Sequence, residues 1–329
     1  MRCGQAAHLG ADSSASPYGH ALPSLVMRLL VISGRYPTPD RPAAGIFVAA
    51  RLEGVPGVTV ISPDRYDRPA WLRYLILLWR ALTARGSFGG VEGHFVLPSG
   101  PIALLAARLR RIPLVVYAHG GDVRNLAHAN PVFGWLARRV VRGAAAVVTN
   151  SSAGAAEVRR LGSEAEIVPP GVDLARFRPT PRPAARRVLY LGGSAPAKGY
   201  EIARELADTL RGPGLEVVAH DELPALLGEH DVLLVPSDEE AFGLVAAEAI
   251  AAGRWVVARA VGGLPEVIED GVNGILVTDG DFAAALAAVP DYDPWEVAAN
   301  ARRFSIEAHR ASMAAIWKRV AAPEATARR

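Results

Sequence analysis

One stretch of the chain, residues 231–277, constrains the fold more than any other. It contains three short apolar runs bounded by Pro, Gly, Asp or Asn: Val232–Val235, Trp255–Ala258 and Ile275–Val277. Such runs are typical of strands that are buried on both faces of a parallel sheet. The segment between the first two runs, Phe242–Ala252, is rich in Ala, Leu and Glu and predicts a helix. The stretch therefore predicts a βαβ unit.

Two glutamates bracket the start of this predicted helix. Glu240 lies in the loop after the first strand, and Glu248 follows about two helical turns later. Ligands of open α/β sheets bind outside the carboxyl ends of the strands, so we expect Glu240 to face a cleft. Gly243 lets a ligand approach the free N–H groups at the helix start. Because a carboxylate accepts from both hydroxyls of a vicinal diol, a polyol fits these residues better than a bare phosphate.

Several short motifs follow one another here: P-S-x-x-E-x-F-G-L-V-x-x-E-A, then a G-G-L-P-E loop and a D-G-x-N-G turn. In this order they resemble the donor half of retaining GT-B glycosyltransferases, the large E-x7-E family that includes bacterial mannosyltransferases and polysaccharide-assembly enzymes. The resemblance implies that Glu240 contacts the donor sugar and that Glu248 holds the nucleotide ribose. The backbone of Phe242, Gly243 and Leu244 would bind the sugar hydroxyls and the phosphate. The alternative interpretation is an ordinary βαβ unit with two solvated glutamates.

The resemblance covers nearly all of residues 27–320 and implies an α/β protein of the GT-B class. Two Rossmann-like parallel-sheet domains then face a central cleft, and the second domain is expected to be shortened. A length of 329 residues with 50% hydrophobic residues is enough for two packed cores. The predicted organisation is a disordered leader or upstream segment at 1–26, an acceptor-side domain at 27–178, a linker at 179–187, a nucleotide-sugar-binding domain at 188–300 and a helix at 301–329 that crosses back to the first domain.

Two loops of the first half are candidates for the acceptor side. A Pro-rich loop leads to Gly45 and a helix that starts near Ile46, which exposes free N–H groups to a ligand. An H-G-G-D tetrapeptide, from His119 to Asp122, follows the apolar run Leu114–Ala118. In the resembled family this tetrapeptide lies across the cleft from the donor sugar, which implies that His119 lies beside the reaction centre and Asp122 on the acceptor side. A loop shaped only by prolines and a structural histidine are the alternatives.

A second glycine-rich loop, G-G-S-A-P-A-K-G, follows the predicted strand Val188–Leu191 and suits a diphosphate. It contains Gly192, Gly193 and Lys198, one of only two lysines in the chain. The resembled family usually has arginine where this chain has Gly193, and both cations would neutralise the leaving diphosphate. Lys198 would then act alone or with helix N-termini or another arginine such as Arg187, or else the activity is weak or lost.

The segment between Lys198 and Asp231 is shorter than the family usually has. It predicts one helix, Tyr200–Arg211, one strand, Leu215–Ala219, and one short helix, Leu223–His230. The second domain is therefore expected to lack some β/α units and some contacts to the nucleobase.

Charge is distributed unevenly along the chain, although the net charge is only +3. Residues 27–178 contain 20 arginines, no lysine and 10 acidic residues, whereas residues 179–329 contain 15 basic and 22 acidic residues. A basic first half suits an anionic membrane surface or an anionic acceptor, and no nucleic-acid motif accompanies it. A solvated arginine-rich surface is an equally good interpretation.

The segment 67–85 adds a second membrane signal. Its apolar run, Leu75–Trp79, is too short to span a bilayer, which needs about 20 residues. Arginines alternate with Trp71, Tyr74 and Trp79, which suits a helix that lies in a membrane interface. A helix packed under the first sheet with snorkelling arginines is the alternative.

The sequence gives no indication of a metal site. The single cysteine, Cys3, excludes a thiolate zinc site, and the eight histidines lack H-E-x-x-H spacing. No D-x-D pair occurs within residues 231–277, and helix N-termini near Gly243 and Gly263 would assist Lys198.

The leading hypothesis is a retaining, metal-independent glycosyltransferase of the hexosyltransferase type that needs no cofactor. Its donor is a nucleotide diphosphate sugar, and its acceptor is a glycan, a lipid-linked molecule or a small molecule. The resemblance favours surface polysaccharide or glycoconjugate synthesis, in the cytoplasm or on the inner face of the plasma membrane. The alternatives are a catalytically weak or inactive nucleotide-sugar-binding protein, and a GT-B enzyme of another class such as an epimerase or a phosphorylase.

Overall fold

The computed structural model describes residues 27–41 and 44–322, which form two parallel sheets with helices on both faces. The predicted leader, residues 1–26, lies outside the described residues.

The first sheet has six parallel strands in the order β2-β1-β3-β4-β5-β6. They are β1 (Leu29–Ser33), β2 (Val58–Ile61), β3 (Gly90–His94), β4 (Leu114–Ala118), β5 (Ala146–Thr149) and β6 (Glu166–Ile167). Its helices are α1 (Ile46–Leu52), α2 (Ala70–Thr83), α3 (Gly100–Arg110), α4 (Pro131–Gly143) and α5 (Ser152–Arg160). Because side chains alternate along a strand, Leu30 and Ile32 pack under α2, α3 and α4, whereas Leu29 and Val31 face α1.

The second sheet has five parallel strands in the order β11-β10-β9-β7-β8. They are β7 (Val188–Tyr190), β8 (Thr209–Leu210), β9 (Val232–Val235), β10 (Trp255–Arg259) and β11 (Gly274–Val277). Its helices are α6 (Tyr200–Leu206), α7 (Leu223–Gly228), α8 (Leu244–Ala251), α9 (Leu264–Val267), α10 (Phe282–Ala287) and α11 (Pro294–Ala299). In both sheets the chain reverses its winding direction beside the first strand, between β1 and β3 and between β7 and β9. Ligands of such folds bind at these points.

Two elements differ from the prediction. The strand expected at Leu215–Ala219 is wrong: these residues form no strand, Val217 is 64% exposed, and the edge strand is β8, within the predicted helix. The glycines around Pro213 turn the chain immediately after β8, which leaves the following residues on the surface. The second difference is α4, a helix that the sequence analysis did not predict. Its N-cap is Asn130, whose side chain accepts from the Phe133 amide at 2.9 Å. The N-P pair was a local signal for this helix.

A last helix, α12 (Ile306–Ala321), returns to the first sheet. Met313, Ile316 and Trp317 join the core formed by α1 and the outer residues of β1. The indole of Trp317 lies so close to β3 that a Cβ on Gly90 would be 2.4 Å from its ring. Arg310 also donates to carbonyl oxygens at the end of α1, so α12 fixes the position of α1.

His309 makes stability depend on pH. It is 5% exposed on α12 and its Nδ1 lies 2.6 Å from the Pro169 carbonyl oxygen. Burial, and then the charge of Arg51, lower the pKa of His309 from 6.5 to about 3. The unfolded chain therefore binds the proton first as the pH falls. The stability contributed by the neutral ring is complete above pH 6.5 and is lost progressively toward pH 3.

His309→Asn keeps a donor for Pro169 but does not titrate. Between pH 7 and pH 5 we expect its free energy of unfolding to fall by about 2 kcal/mol less than that of the wild type, at about 1.4 kcal/mol per pKa unit. Urea unfolding at both pH values measures the difference. Other buried groups titrate alike in both proteins, so their contributions cancel in the comparison. An equal fall in the free energy of unfolding of the two proteins between pH 7 and pH 5 would exclude this role of His309.

Candidate functional site

Loops from the carboxyl ends of the two sheets meet. The Ser151 hydroxyl, after β5, donates to the Ala241 carbonyl at 2.7 Å, and the Ser152 amide donates to the Glu266 carboxylate at 2.7 Å. Gly120, after β4, has a φ of +108°, and a Cβ there would be 2.5 Å from the Ala241 Cβ. His119 and Glu240 are the chain neighbours of these two touching residues. The loops that carry His119 and Glu240 are thus brought together.

Lys198 and Glu240 form a pair at the switch point of the second sheet. Lys198 follows β7, Glu240 follows β9, and Lys198 Nζ lies 2.7 Å from Glu240 Oε2. The side chains are 38% and 21% exposed, so both remain accessible to a ligand. Gly262, from the G-G-L-P-E loop, packs so tightly that a Cβ would be 1.6 Å from the Glu240 carbonyl oxygen. Any other residue at 262 would displace the loop that carries Glu240.

The glycine loop after β7 cannot hold the missing arginine. Gly193 has a φ of +73°, and a Cβ there would be 2.3 Å from the Pro213 carbonyl oxygen. The suggestion that Arg187 assists Lys198 is wrong, because Arg187 precedes β7 and lies at the amino end of the strands, opposite the end where Lys198 lies. Arg211 follows β8 at the carboxyl end of the strands, where its carbonyl accepts from the Gly193 amide at 3.0 Å. Its guanidinium lies 3.1 Å from Glu216.

Helix α8 presents backbone rather than side chains at its start. Gly243 is its N-cap with a φ of +96°, as expected for a loop that a ligand approaches closely. The Phe242 ring is 2% exposed and packs edge-on against Phe304, so only its backbone is available to a ligand. Leu244 is the first helical residue.

Glu248 is more buried than a solvated glutamate. It is 5% exposed, and burial raises the pKa of its carboxyl while His220, whose Nε2 lies 3.5 Å from Oε1, lowers it. The sequence analysis missed His220, because it assigned the preceding residues to a strand. The ribose-binding role of Glu248 stays a prediction.

On the first domain, His119 lies in an aromatic cage. Its ring stacks on Tyr117 at 4.6 Å and contacts Phe95 at 4.5 Å and Phe47 at 4.9 Å between centroids. Phe47 lies on α1, whose N-cap is Gly45, with a φ of +65°. Gly45 thus also positions a ring against His119, and its contact with an acceptor stays a prediction.

Asp122 fixes the loop that carries His119. Its carboxylate accepts from the Val96 amide at 2.6 Å and from the His119 amide at 3.0 Å. Burial raises the pKa of Asp122 to about 6, although these amides act in the opposite direction. Both oxygens are occupied, and a contact with the acceptor stays a prediction.

A cavity of about 210 Å³ lies beside the touching loops. Both domains line it, with the following residues: Gly120, Arg124, Thr149, Asn150, Ser151, Ala153, Gly154 and Glu157 from the first, and Ala241 and Gly262 from the second. Neither Lys198 nor Glu248 lines it, so it adjoins the candidate donor site. Within the described ranges, no group of three or more His, Cys, Asp or Glu side chains is arranged to hold a metal ion.

Two family models match this chain. Residues 10–171 match the glycosyl transferase 4-like domain, and residues 174–289 match glycosyl transferases group 1. A D-inositol 3-phosphate glycosyltransferase of Kribbella flavida is 33% identical over 316 residues, covering 73% of this chain and 74% of the relative. The chain belongs to the group 1 family of glycosyl transferases. A protein of the same name from Geodermatophilus obscurus is 36% identical over 271 residues, which cover 62% of this chain and only 60% of the relative.

Solved structures of glycosyltransferases share the fold. Anabaena HepE in complex with UDP-glucose superposes with a TM-score of 0.66 at 20% identity, covering 89% of this chain and all (100%) of that one. Sucrose-phosphate synthase from Thermosynechococcus elongatus gives a TM-score of 0.67 at 19% identity, covering 89% and 99%. The predicted GT-B fold is therefore confirmed, with a six-stranded and a five-stranded sheet.

Proposed function

We propose that this glycosyl transferase moves a sugar from a nucleotide diphosphate sugar to a hydroxyl acceptor and retains the anomeric configuration. The observation that carries the proposal is the Lys198–Glu240 pair, which lies at the switch point of the second sheet with the His119 loop across the cleft. A cation and a carboxylate side by side suit the two ends of a sugar diphosphate. The UDP-glucose bound by the Anabaena neighbour supports this donor class.

The chemistry separates charge. The bond between the anomeric carbon and the diphosphate oxygen breaks, negative charge grows on the diphosphate, and positive charge grows on the sugar ring. Lys198 and the N–H groups at Gly192 and Gly243 stabilise the diphosphate. Glu240 orients the sugar hydroxyls and balances the ring charge.

The acceptor attacks from the side of the leaving group. Its oxygen bonds to the anomeric carbon, its proton passes to the departing diphosphate, and no protein base is required. Arg211 lies at the carboxyl end of the second sheet, beside Gly193, and can supply the second cation that position 193 lacks. The ribose is held by the buried carboxylate of Glu248, with His220 beside it.

Acceptors of surface polysaccharide or glycoconjugate synthesis fit the basic first domain, where Gly45 and Asp122 form the acceptor side and His119 lies beside the reaction centre. The alternative, a weak or inactive nucleotide-sugar-binding protein, is favoured by Gly193 and by the short second domain. Incubation with UDP-, GDP- and ADP-sugars, followed by NMR of the product's anomeric proton, tests the proposal. Release of the nucleoside diphosphate with retained configuration supports it, inverted configuration rejects retention, and binding without turnover favours the alternative.

We also propose that the first domain works on an anionic membrane surface, on the inner face of the plasma membrane. Helices α2, α3 and α4 lie side by side and contain seven arginines and no acidic residue. They also carry seven of the eleven exposed large apolar side chains of the described residues: Trp71, Leu75, Trp79, Leu105, Leu109, Val132 and Trp135. Aromatic and basic side chains together favour an anionic interface. No helix among the described residues is long and apolar enough to cross a bilayer.

Replacing both Trp71 and Trp79, 69% and 65% exposed, with serine removes the largest apolar groups from this surface. We expect the double variant to bind vesicles of phosphatidylcholine and phosphatidylglycerol at least about tenfold less tightly, since a buried aromatic side chain is worth about 1.5–3 kcal/mol. Co-sedimentation at low salt measures binding, which high salt should reduce.

Trp295→Ser is the matched control, because Trp295 is 54% exposed on the second domain. It should bind vesicles like the wild type. Absence of wild-type binding, or an equal loss in the control, would leave α2 as a helix that only packs on the sheet.

A further inference from the structure

A chain of buried polar groups runs from the core of the first domain to His119. Glu92 and His94 lie on the same face of β3, and both are 1% exposed. Glu92 Oε1 accepts from the Arg51 guanidinium, and Glu92 Oε2 accepts from Trp317 Nε1 at 3.0 Å. The carboxylate is thus held from both sides, by α1 and by α12. The sequence analysis did not single out any of these four residues.

The ring of His94 connects this carboxylate to His119. His94 Nε2 lies 2.9 Å from Glu92 Oε1 and 3.1 Å from Arg51 Nη2, while His94 Nδ1 lies 2.9 Å from His119 Nε2. A carboxylate oxygen only accepts and a guanidinium only donates, so the two contacts of His94 Nε2 call for opposite tautomers. We assign the shorter one as a hydrogen bond from His94 Nε2–H to Glu92 Oε1, which leaves His94 Nδ1 as an acceptor.

Neither imidazole ring is charged. Burial, and then the charge of Arg51, hold the pKa of His94 well below 6.5, and burial, and then His94, do the same for His119. Two neutral rings that share one short contact need one donor between them. With His94 Nδ1 as the acceptor, the proton of His119 is on Nε2.

We propose that Glu92 and His94 are positioning residues that hold His119 in the Nε2–H tautomer, so that its Nδ1 offers a lone pair to a sugar hydroxyl. Nδ1 forms no hydrogen bond within the part of the chain that the structure describes. The stacked Tyr117 ring and the Phe95 and Phe47 rings prevent the imidazole from turning. Phe95 adopts a left-handed backbone, with a φ of +71°, to place its ring there.

The choice of tautomer decides which ligand atom His119 recognises. A bare Nδ1 accepts from an O–H, whereas the opposite tautomer donates and prefers a ring or phosphate oxygen. Carboxylate–histidine pairs fix tautomers in the same way in other sites. That the hydroxyl belongs to a sugar rests on the proposed function; the tautomer itself does not.

The test is two-bond ¹H–¹⁵N NMR of the full chain with ¹⁵N-labelled histidine, without any sugar present. Comparison with His119→Gln assigns the His119 signals. We expect wild-type His119 to be protonated on Nε2, and we expect Trp317→Phe to keep this tautomer because it leaves Oε1 untouched. Protonation of His119 on Nδ1 in the wild type would overturn the proposal, whether or not any variant folds.

Two substitutions at His94 separate positioning from packing. His94→Asn places an amide oxygen near the position of Nδ1 and should preserve the tautomer, whereas His94→Leu should give a mixture of tautomers. Turnover should follow, with kcat lowered about 10- to 100-fold in the leucine variant and mostly retained in the asparagine variant. An unchanged tautomer in His94→Leu would reject the role of His94. Absence of turnover in every protein, with the expected tautomers, would reject only the proposed function.

Discussion

Glu240→Gln is expected to lower the kcat for sugar transfer at least about a hundredfold. Glutamine keeps the size of the side chain and one acceptor oxygen, but it removes the negative charge that balances the developing positive charge on the sugar. Loss of one electrostatic group that acts in the transition state costs about this much. The KM for the donor should change less than kcat, because the neutral ground-state sugar needs the charge less. Steady-state release of nucleoside diphosphate measures both constants.

Glu239→Gln is the matched control, since Glu239 is the preceding residue and its side chain is 51% exposed beside Arg124. It should keep kcat within about threefold, as expected for an exposed ion pair that contributes little. Equal losses in the two variants would mean that acidity of the loop matters, rather than the carboxylate at position 240.

Lys198→Ala is also expected to lower the kcat for sugar transfer at least about a hundredfold, because it removes the positive charge beside the leaving diphosphate. Lys198 belongs to the glycine loop, and position 193 of that loop has no room for an arginine side chain. Without the ammonium group the leaving diphosphate loses its main counter-charge, so both donor affinity and kcat should fall. Because the pair with Glu240 is part-exposed, its loss should change the free energy of unfolding by less than about 1 kcal/mol.

Lys318→Ala is the control for Lys198→Ala, since Lys318 is the other lysine of the chain and lies on α12. Its turnover should equal that of the wild type. Thermal unfolding of all variants shows whether a loss of turnover reflects unfolding. Near-normal turnover by Lys198→Ala would mean that other groups stabilise the leaving diphosphate, and Arg211 would be the first of these to test.

The fold was predictable because its strands are local apolar runs. β4 and β9 have the predicted bounds, and the βα loops that follow buried strands indicate the end of the sheet where a ligand binds. The short β8 was not predictable. Its two residues have no periodicity, and the turn at Gly212–Gly214 that ends it resembles any loop.

The site was predictable only where a motif is continuous in the sequence. Lys198 and Glu240 were singled out on separate motifs, and β7 and β9 bring them together because they are neighbours in the sheet. Glu92 and Arg51 pair across two elements, and Trp317 reaches them from the far end of the chain. No local pattern predicts such a cluster, because buried polar groups find their partners through tertiary packing.

The most direct test of the account is a thermal-shift titration of the wild type and of Lys198→Ala with UDP, GDP, ADP and their sugars. A ligand that binds only the folded chain raises Tm. We predict that at least one nucleoside diphosphate raises the Tm of the wild type and of Lys318→Ala, and that Lys198→Ala loses most of this rise. No rise with any nucleotide, or an equal rise in Lys198→Ala, would contradict the claim that Lys198 and Glu240 form a nucleotide-sugar site.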